Sequence, residues 1–277
     1  MKPLVLTTFL VCVLLAFPLS SLAQSSTQSV PSVSALQSKH ELDEAARAYR
    51  EGHFAEAQLH SERALQLDPE SKGAPLFIAR TIHAQYKPGD FTPENVAKAH
   101  EAILAYQRIF FRSPNDDEAY KAIAYLYAAL KEDELLRDWI LRRGSDVSIA
   151  NDKRADAYVV LASKDWDCSF KITELPSHKV TTVDGEKTQI SYRMPEDRAE
   201  YEQANECATR GLQIANLAIA LAPENESAWS YKTNILLELV KLAEMSGDTQ
   251  QKTEFHRQYE EALAETTRLA KGNQAKP

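Results

Sequence analysis

The strongest constraint on the fold of this chain is a seven-residue segment that occurs three times without a gap. The copies are Pro69–Pro75, Pro114–Tyr120 and Pro223–Trp229. In each copy the proline limits continuation of a preceding helix, and a Ser, Asp or Asn after it offers an oxygen that can cap the next helix. Each copy therefore predicts the end of one helix and the start of another.

Small and apolar residues recur at fixed distances before each of these prolines. A small residue lies twelve positions upstream and an apolar residue lies five positions upstream, at Ala57 and Ala64, at Ala102 and Ile109, and at Gly211 and Ala218. Seven residues span about two helical turns, so both positions fall on one helix face. Small side chains there allow a second helix to approach closely, which predicts a repeat of helical hairpins.

The first copy resembles a known repeat. Gly52–Ala57 followed by Ala64–Pro69 is similar to the second half of a tetratricopeptide repeat in its small residues, its aromatic residue and its terminal proline. The resemblance extends over about residues 38 to 270 and implies an all-α fold, a tetratricopeptide-like helical-hairpin solenoid of about five irregular pairs. It also implies a curved solenoid whose inner groove binds peptides or protein segments.

The repeats depart from the family pattern in length. Pro69 and Pro114 are 45 residues apart, where about 34 would fit, and Tyr86–Pro93 is rich in turn-forming residues. We therefore predict an elongated turn inside the second pair. The last pair, Ser227–Met245 and Gln251–Lys271, is longer than the family norm, and its second helix is expected to cap the solenoid with a polar face.

Composition and charge argue against several classes of function. Only eight glycines occur in 277 residues, which argues against glycine-rich phosphate loops and sheet sandwiches. The formal charge is -8 and the basic residues form no Lys/Arg run. We therefore predict no nucleic-acid partner, since such partners need a clustered basic surface.

The N-terminus has the order of a secretory signal. Lys2 precedes the apolar run Leu4–Phe17, and Ala23 ends a short stretch that suits cleavage. We predict a signal peptide over residues 1–23 and an exported protein, periplasmic or extracellular. The alternative is an uncleaved anchor, but a helix of fourteen residues is about 21 Å long, shorter than a hydrocarbon core of about 30 Å.

The remaining chain divides by composition. Residues 24–36 are rich in Ser and Gln and predict a mobile leader, residues 37–271 predict the solenoid, and residues 272–277 predict a flexible tail. No segment after the cleavage site is apolar enough to span a membrane. We expect a soluble mature chain with a charge of -9, from 31 basic and 40 acidic residues.

Residues 168–195 interrupt the fourth helix pair. Several of them favour β-structure, and an Asp-Gly pair at 184–185 predicts a small β-hairpin. Cys168 and Cys207 flank most of this insertion and are the two cysteines left once Cys12 leaves with the signal. In an oxidising compartment we expect them to form a disulfide; two unpaired buried thiols are the alternative.

The sequence contains no recognisable catalytic motif, and we predict a non-enzyme without cofactor or metal. His53 and His60 would lie about 10.5 Å apart along a helix, too far to chelate one ion. The acidic pair at 116–117 is explained by helix capping. Asp165 and Asp167 beside the insertion could bind a cation, although a calcium site needs further oxygen ligands.

The tetratricopeptide resemblance also nominates partner-binding residues on the first helix of each pair. The inward-facing positions of the family project onto Tyr49, Arg80, His83, Lys121, Tyr125, Ser163, Trp166 and Asn234. This mixture of aromatic and hydrogen-bonding side chains suits an extended peptide. The carboxylate clamp of paired Lys and Asn found in the family is not reproduced. For each ring, packing between helices is the alternative to binding.

Three functions are compatible with these features. The first is an exported protein–protein interaction scaffold that binds a protein segment in its groove. The second is an enzyme or a cation-dependent protein with its site at the insertion 168–195. The third is a structural spacer without a selective groove. An open concavity would favour the first, and clustered carboxylates or histidines with perturbed pKa values would favour the second.

Overall fold

The computed structural model describes residues 32–184 and 187–274. These residues form ten α-helices, a short 3-10 turn (Pro176–His178) and one two-stranded sheet. The helices are α1 (Val33–Arg50), α2 (Phe54–Leu67), α3 (Ala74–Gln85), α4 (Pro93–Arg112), α5 (Asp117–Ala129), α6 (Asp133–Ser145), α7 (Asn151–Thr173), α8 (Arg198–Leu221), α9 (Glu226–Ser246) and α10 (Thr249–Gln274). The predicted signal peptide with its cleavage site, Gly185 and residues 275–277 lie outside the described residues.

Each helix packs against the next along the described chain. The helices therefore form five hairpins within the described residues, α1/α2, α3/α4, α5/α6, α7/α8 and α9/α10, and each hairpin stacks on the following one. α7 also packs directly against α9. The prediction of a helical-hairpin solenoid with about five pairs is confirmed.

The proline segments end and start helices as predicted. α2, α4 and α8 each end two residues before the proline, at Leu67, Arg112 and Leu221. After the proline, Asp116 Oδ1 accepts from the Ala119 amide at 2.9 Å, and Asn225 Oδ1 accepts from the Ala228 amide at 3.0 Å. These bonds satisfy amides that a helix start leaves without a partner inside the helix.

The recurring small residues lie where helices touch. Ala57, Ala64, Ala102 and Ala218 are fully buried. At Gly211, an added Cβ would come within 3.0 Å of Asp165 Cβ on α7 and 3.1 Å of Ile235 Cδ1 on α9. Glycine thus allows α8 to approach both neighbours closely, and a larger side chain would force one of them away.

The helical region is wider than the predicted boundaries of 37–271. α1 begins at Val33, inside the segment predicted as a leader, because Ser32 Oγ accepts from the Ala35 amide at 3.1 Å and caps the helix. At the other end, α10 continues to Gln274, inside the segment predicted as a flexible tail.

The insertion begins later than predicted. α7 continues through Cys168 to Thr173, so Phe170 and Ile172, two of the β-favouring residues of the predicted insertion 168–195, are helical. Lys241 on α9 lies 5.3 Å from the centroid of the Phe170 ring. Contacts of this kind with a neighbouring helix override the weak preference of single residues for strands.

A β-hairpin follows α7, as predicted. β1 (Lys179–Asp184) pairs antiparallel with β2 (Lys187–Tyr192), and Val180 lies opposite Ser191. The Tyr192 amide donates to Glu244 Oε1 on α9 at 2.9 Å. This bond attaches the base of the hairpin to the solenoid, which a two-stranded sheet needs because it is marginally stable alone.

Cys168 and Cys207 form a disulfide, as predicted. Both cysteines lie inside helices, so the bond joins α7 to α8 rather than fastening the entry of the hairpin. Arg210, one turn after Cys207, directs its Nη2 toward the Cys207 sulfur at 3.6 Å. The disulfide therefore strengthens the contact between the two helices of the fourth pair.

Candidate functional site

The first two helix pairs line an open cleft of about 300 Å³, which we call the N-terminal cleft. It is lined by Tyr49, Arg80, His83, Ala84, Tyr86, Pro88 and Tyr106. Four of the lining residues are aromatic or imidazole side chains with a polar atom, and one is a guanidinium. The cleft therefore combines flat rings with hydrogen-bonding groups, which is the composition of a recognition site.

The helix ends near the cleft explain this grouping. Arg80 and His83 are three residues apart on α3 and share one side of the helix, and Tyr86 follows as its extended C-cap residue. Tyr49 lies in the last turn of α1, and its ring is 5.8 Å from that of Phe77 on α3. Tyr106 comes from α4, the second helix of the second pair.

Arg80 is held in place from the third pair. Its Nε and Nη2 donate to the two carboxylate oxygens of Glu118 in the first turn of α5. The hydrogen bond from Arg80 lowers the pKa of Glu118, so this carboxylate stays ionised at neutral pH. The two charges balance each other at the edge of the cleft.

His83 lies between two tyrosine rings. The centroid of its ring is 5.9 Å from that of Tyr106 and 5.6 Å from that of Tyr125 on α5. Burial lowers the pKa of His83, so its imidazole is neutral at pH 7 and keeps one nitrogen as a hydrogen-bond acceptor. Tyr106 Oη lies 3.5 Å from His83 Nδ1, and burial raises the pKa of Tyr106.

Tyr86 carries a buried hydroxyl without a partner. The residue is 6% exposed, and its Oη makes no hydrogen bond to any described residue. Burial raises the pKa of Tyr86, so the phenol keeps its proton. A buried donor left unpaired costs about 1 to 3 kcal/mol, so a hydrogen bond from this hydroxyl to an added acceptor would be favourable.

Stacked helical hairpins are the architecture of helical repeat proteins, among them the tetratricopeptide repeats, which this chain also resembles in its small residues and capped prolines. This chain is a tetratricopeptide-like solenoid. No family model and no curated protein matches the sequence. The resemblance therefore depends on the arrangement of the helices and on the repeat described above.

Two solved structures align with this tetratricopeptide-like chain. The crystal structure of MamA protein aligns over 85% of this chain and 94% of its own, with 15% sequence identity and a TM-score of 0.40. A tetratricopeptide repeat protein from Parabacteroides merdae ATCC 43184 aligns over 84% and 99%, with 13% identity and a TM-score of 0.34.

Four of the eight predicted binding residues lie together at the cleft. Tyr49, Arg80 and His83 line it, and the Tyr125 ring lies against His83 with 49% of its surface exposed. Lys121 is exposed one turn before Tyr125 on α5 and does not line the cleft.

The other three predicted residues lie on α7 and α9. Trp166 packs against Phe170 at 5.0 Å and Tyr231 at 6.1 Å between ring centroids, so much of this ring belongs to helix packing. Ser163 Oγ donates to the Val160 carbonyl of its own helix at 2.8 Å. Asn234 is half-buried.

Sequence reasoning missed three polar residues at the site. Tyr86 falls in the segment interpreted as an elongated turn, Tyr106 lies on a second helix, and Glu118 falls in a proline segment interpreted only as a helix start. The repeated spacing of Arg80, His83 and Tyr86 is a signal that could have added Tyr86 to the list.

The carboxylates beside the insertion are neutralised by cations of the chain itself. Asp165 is 1% exposed, and both of its oxygens accept from Arg137, at 3.0 and 3.1 Å, while Arg210 Nη2 donates to Oδ1 at 2.8 Å. Asp167 pairs with Lys171 at 2.6 Å. Over residues 32–184 and 187–274, no group of three or more His, Cys, Asp or Glu side chains could hold a metal ion.

None of the helices in the described part of the chain is both long and apolar enough to cross a membrane.

Proposed function

We propose that this protein is an exported interaction scaffold that binds an extended segment of a partner protein along the first helices of its solenoid. The observation that carries the proposal is the N-terminal cleft, where the first two helix pairs contribute rings and hydrogen-bonding groups to one opening. The third pair contacts two of these groups, through Tyr125 against His83 and Glu118 against Arg80. Rings supply contact area at low entropy cost, and polar groups fix the path of a bound chain.

The disulfide between Cys168 and Cys207 supports the exported part of the proposal. Disulfides persist in oxidising compartments and are rare in the cytosol. The order of basic, apolar and small residues at the start of the sequence points the same way.

The charges beside the insertion favour a scaffold over a cation-dependent protein. Asp165 lies between two guanidinium groups, and Glu174 accepts from Lys179 and Lys241. A carboxylate paired in this way would have to break its ion pairs with Arg or Lys side chains before it could bind a metal cation.

The experiment is capture of partners on the mature protein in its native compartment, followed by mapping of the bound segment. Tyr125→Ala should weaken binding of that segment by about 1 to 3 kcal/mol if the ring is a contact centre. Because Tyr125 is 49% exposed, its loss should change the melting temperature little.

Phe111→Ala is the matched control, since Phe111 is an aromatic residue on α4 that is 58% exposed and lies away from the cleft lining. Equal binding by wild type and Tyr125→Ala would contradict the proposal that the partner binds in the groove. If only Phe111→Ala loses binding, the contact lies on the second helices of the pairs. If the partner binds neither surface, a structural spacer is favoured.

A further inference from the structure

Two hydrogen-bond donors at the N-terminal cleft are not used by its own residues. Tyr86 Oη has no partner among the described residues. Arg80 uses Nε and Nη2 for Glu118, and its Nη1 makes no hydrogen bond to the described part of the chain. The cleft also holds an acceptor in the His83 tautomer that directs an Nδ1 proton to Tyr106, because Nε2 then has no proton.

The charge of the cleft narrows the class of ligand. Arg80 is already balanced by Glu118, so an added carboxylate would compete with an ionised group of the same sign. The chain as a whole carries a formal charge of -8, which also disfavours an acidic segment. A Lys or Arg side chain would meet the Arg80 guanidinium, and an aliphatic side chain would leave the Tyr86 hydroxyl unpaired.

We propose that the N-terminal cleft binds an uncharged amide group of the partner segment, whose carbonyl oxygen accepts from Tyr86 and Arg80. The amide N–H or NH₂ group has the His83 nitrogen or the Glu118 carboxylate as its acceptor. A planar amide also fits beside the flat rings of Tyr49 and Tyr106. This inference rests on the proposed function, and it adds the chemistry of the group that is recognised.

Two sources supply the same chemistry, the side chain of Asn or Gln and the peptide backbone itself. A cleft of about 300 Å³ has room for one side chain of a bound segment, at the lower end of the size range of ligand sites. A side-chain amide would make the protein selective at one position of the segment. A backbone amide would bind segments of many sequences equally.

The probe is a positional-scanning set of capped, fluorescein-labelled peptides on an alanine background, measured by fluorescence polarisation. The variant is Tyr86→Phe, which removes one hydroxyl and keeps the ring. Because that hydroxyl is unpaired in the free protein, its removal should leave the melting temperature unchanged or raise it. Affinity for Asn- or Gln-containing peptides should fall roughly 5- to 10-fold.

Tyr127→Phe is the matched control. Tyr127 is also buried, but its Oη accepts from Gln107 Nε2 at 3.3 Å, so its loss should lower the melting temperature and leave peptide affinity unchanged. A structural role for Tyr86 would give the same pattern as this control. Higher stability combined with weaker binding is therefore specific to a ligand-binding hydroxyl.

Selection of Asn or Gln that Tyr86→Phe abolishes supports the side-chain source. Equal binding of all peptides, weakened alike by Tyr86→Phe, supports the backbone source. Selection of acidic, basic or aliphatic residues would overturn the amide assignment, as would unchanged affinity in Tyr86→Phe or a wild type that binds no peptide of the set. Tyr125→Ala tested with the captured partner decides the groove function separately, so failure of the amide assignment can be distinguished from failure of the proposed function.

Discussion

The guanidinium of Arg80 on α3 and the carboxylate of Glu118 on α5 form a two-point ion pair that joins successive helix pairs. A planar guanidinium that makes two parallel hydrogen bonds fixes the orientation of both side chains. The side chains are 43% and 42% exposed, so solvent screens their attraction. The pair therefore orients a group at the cleft more than it stabilises the fold.

Arg80→Ala should separate these two roles. We expect the free energy of unfolding to fall by less than about 1 kcal/mol, as for exposed ion pairs. Affinity for the partner segment should fall about tenfold because a donor is lost and Glu118 is left without its counter-charge. Salt concentration should change this loss little, because the group recognised at Arg80 is uncharged. Urea unfolding and titrations at low and high salt measure the three quantities.

Arg257→Ala is the control for Arg80→Ala. Arg257 forms ion pairs with Glu254 and Glu261 on the exposed side of α10, far along the chain from the cleft. It should leave binding unchanged. If both variants bind the partner like wild type, Arg80 has no part in recognition and the cleft must be reassigned.

The sequence was sufficient for the helix boundaries that depend on local chemistry. A proline and a capping side chain act on the backbone within a few residues of themselves. The helix boundaries around Pro114 and Pro223 could therefore be predicted from the sequence alone. The hairpin could be predicted for the same reason. Its start could not, because Phe170 is held in a helix by its contact with Lys241, which is distant in sequence.

The cleft was only partly predictable because it depends on which helices lie opposite each other. The repeat pattern places Arg80, His83 and Tyr125 on first helices. It does not show that α4 delivers Tyr106 beside His83, since the elongated turn before α4 has no equivalent in the family. An acidic residue such as Glu118 is also common in the first turn of a helix, so the sequence does not indicate another role for it. Only the structure shows that it pairs with Arg80 of the preceding helix pair.

The disulfide predicts a measurable loss of stability when it is removed. The cysteines are separated by 39 residues, and closing a loop of that size should contribute about 2 to 4 kcal/mol to the free energy of unfolding. We expect the double variant Cys168→Ala/Cys207→Ala to lose that amount of free energy of unfolding. Its urea midpoint should therefore be lower than that of wild type. Wild type treated with reductant should approach the same midpoint, and reductant should have no effect on the double variant.

Thiol titration is the independent check on this bond. Non-reduced exported protein should show no reactive thiol after denaturation. Two reactive thiols per chain would show that the cysteines are unpaired in the cell, and the stability difference would then have to come from packing.

The buried His83 ring should lower the free energy of unfolding in acid. Its pKa is lower in the folded protein than the ordinary value of 6.5, because burial disfavours the charged ring. The folded state therefore binds fewer protons, and the contribution of neutral His83 to stability is present above about pH 6.5 and is lost as the pH falls through the lowered value. His83→Gln should unfold with a smaller change in free energy between pH 7 and pH 5.

His256→Gln on the exposed surface of α10 is the control for the acid experiment. Carboxylates with lowered pKa values, such as Asp117 and Glu118, also lose stabilising ionisation in acid, but they do so in both variants. The difference between the variants isolates the imidazole. An identical pH dependence for wild type and His83→Gln would mean that the ring can be charged in the folded state without cost.

Lys241 supports the base of the hairpin from inside the solenoid. Its Nζ donates to Glu238 Oε1 at 2.7 Å and to Glu174 Oε1 at 2.8 Å, and it lies 5.3 Å from the ring centroids of Phe170 and Tyr192. Both Lys241 and Glu238 are buried. Removing the ammonium group would leave the Glu238 carboxylate in the interior without a counter-charge.

Lys241→Met should therefore be strongly destabilising, although Met has a similar length and is apolar. We expect a loss of about 3 to 5 kcal/mol in the free energy of unfolding, the usual cost of breaking a buried ion pair from one side. Lys252→Met is the matched control, since Lys252 pairs with Glu244 at 2.8 Å but is 43% exposed, and its loss should cost less than about 1 kcal/mol. Adding Glu238→Gln to Lys241→Met should recover part of the loss, because the unpaired charge is then removed. If Lys241→Met is no more destabilising than Lys252→Met, the buried ion pair does not hold the hairpin base, and the attachment depends on the rings and on the Tyr192 to Glu244 hydrogen bond.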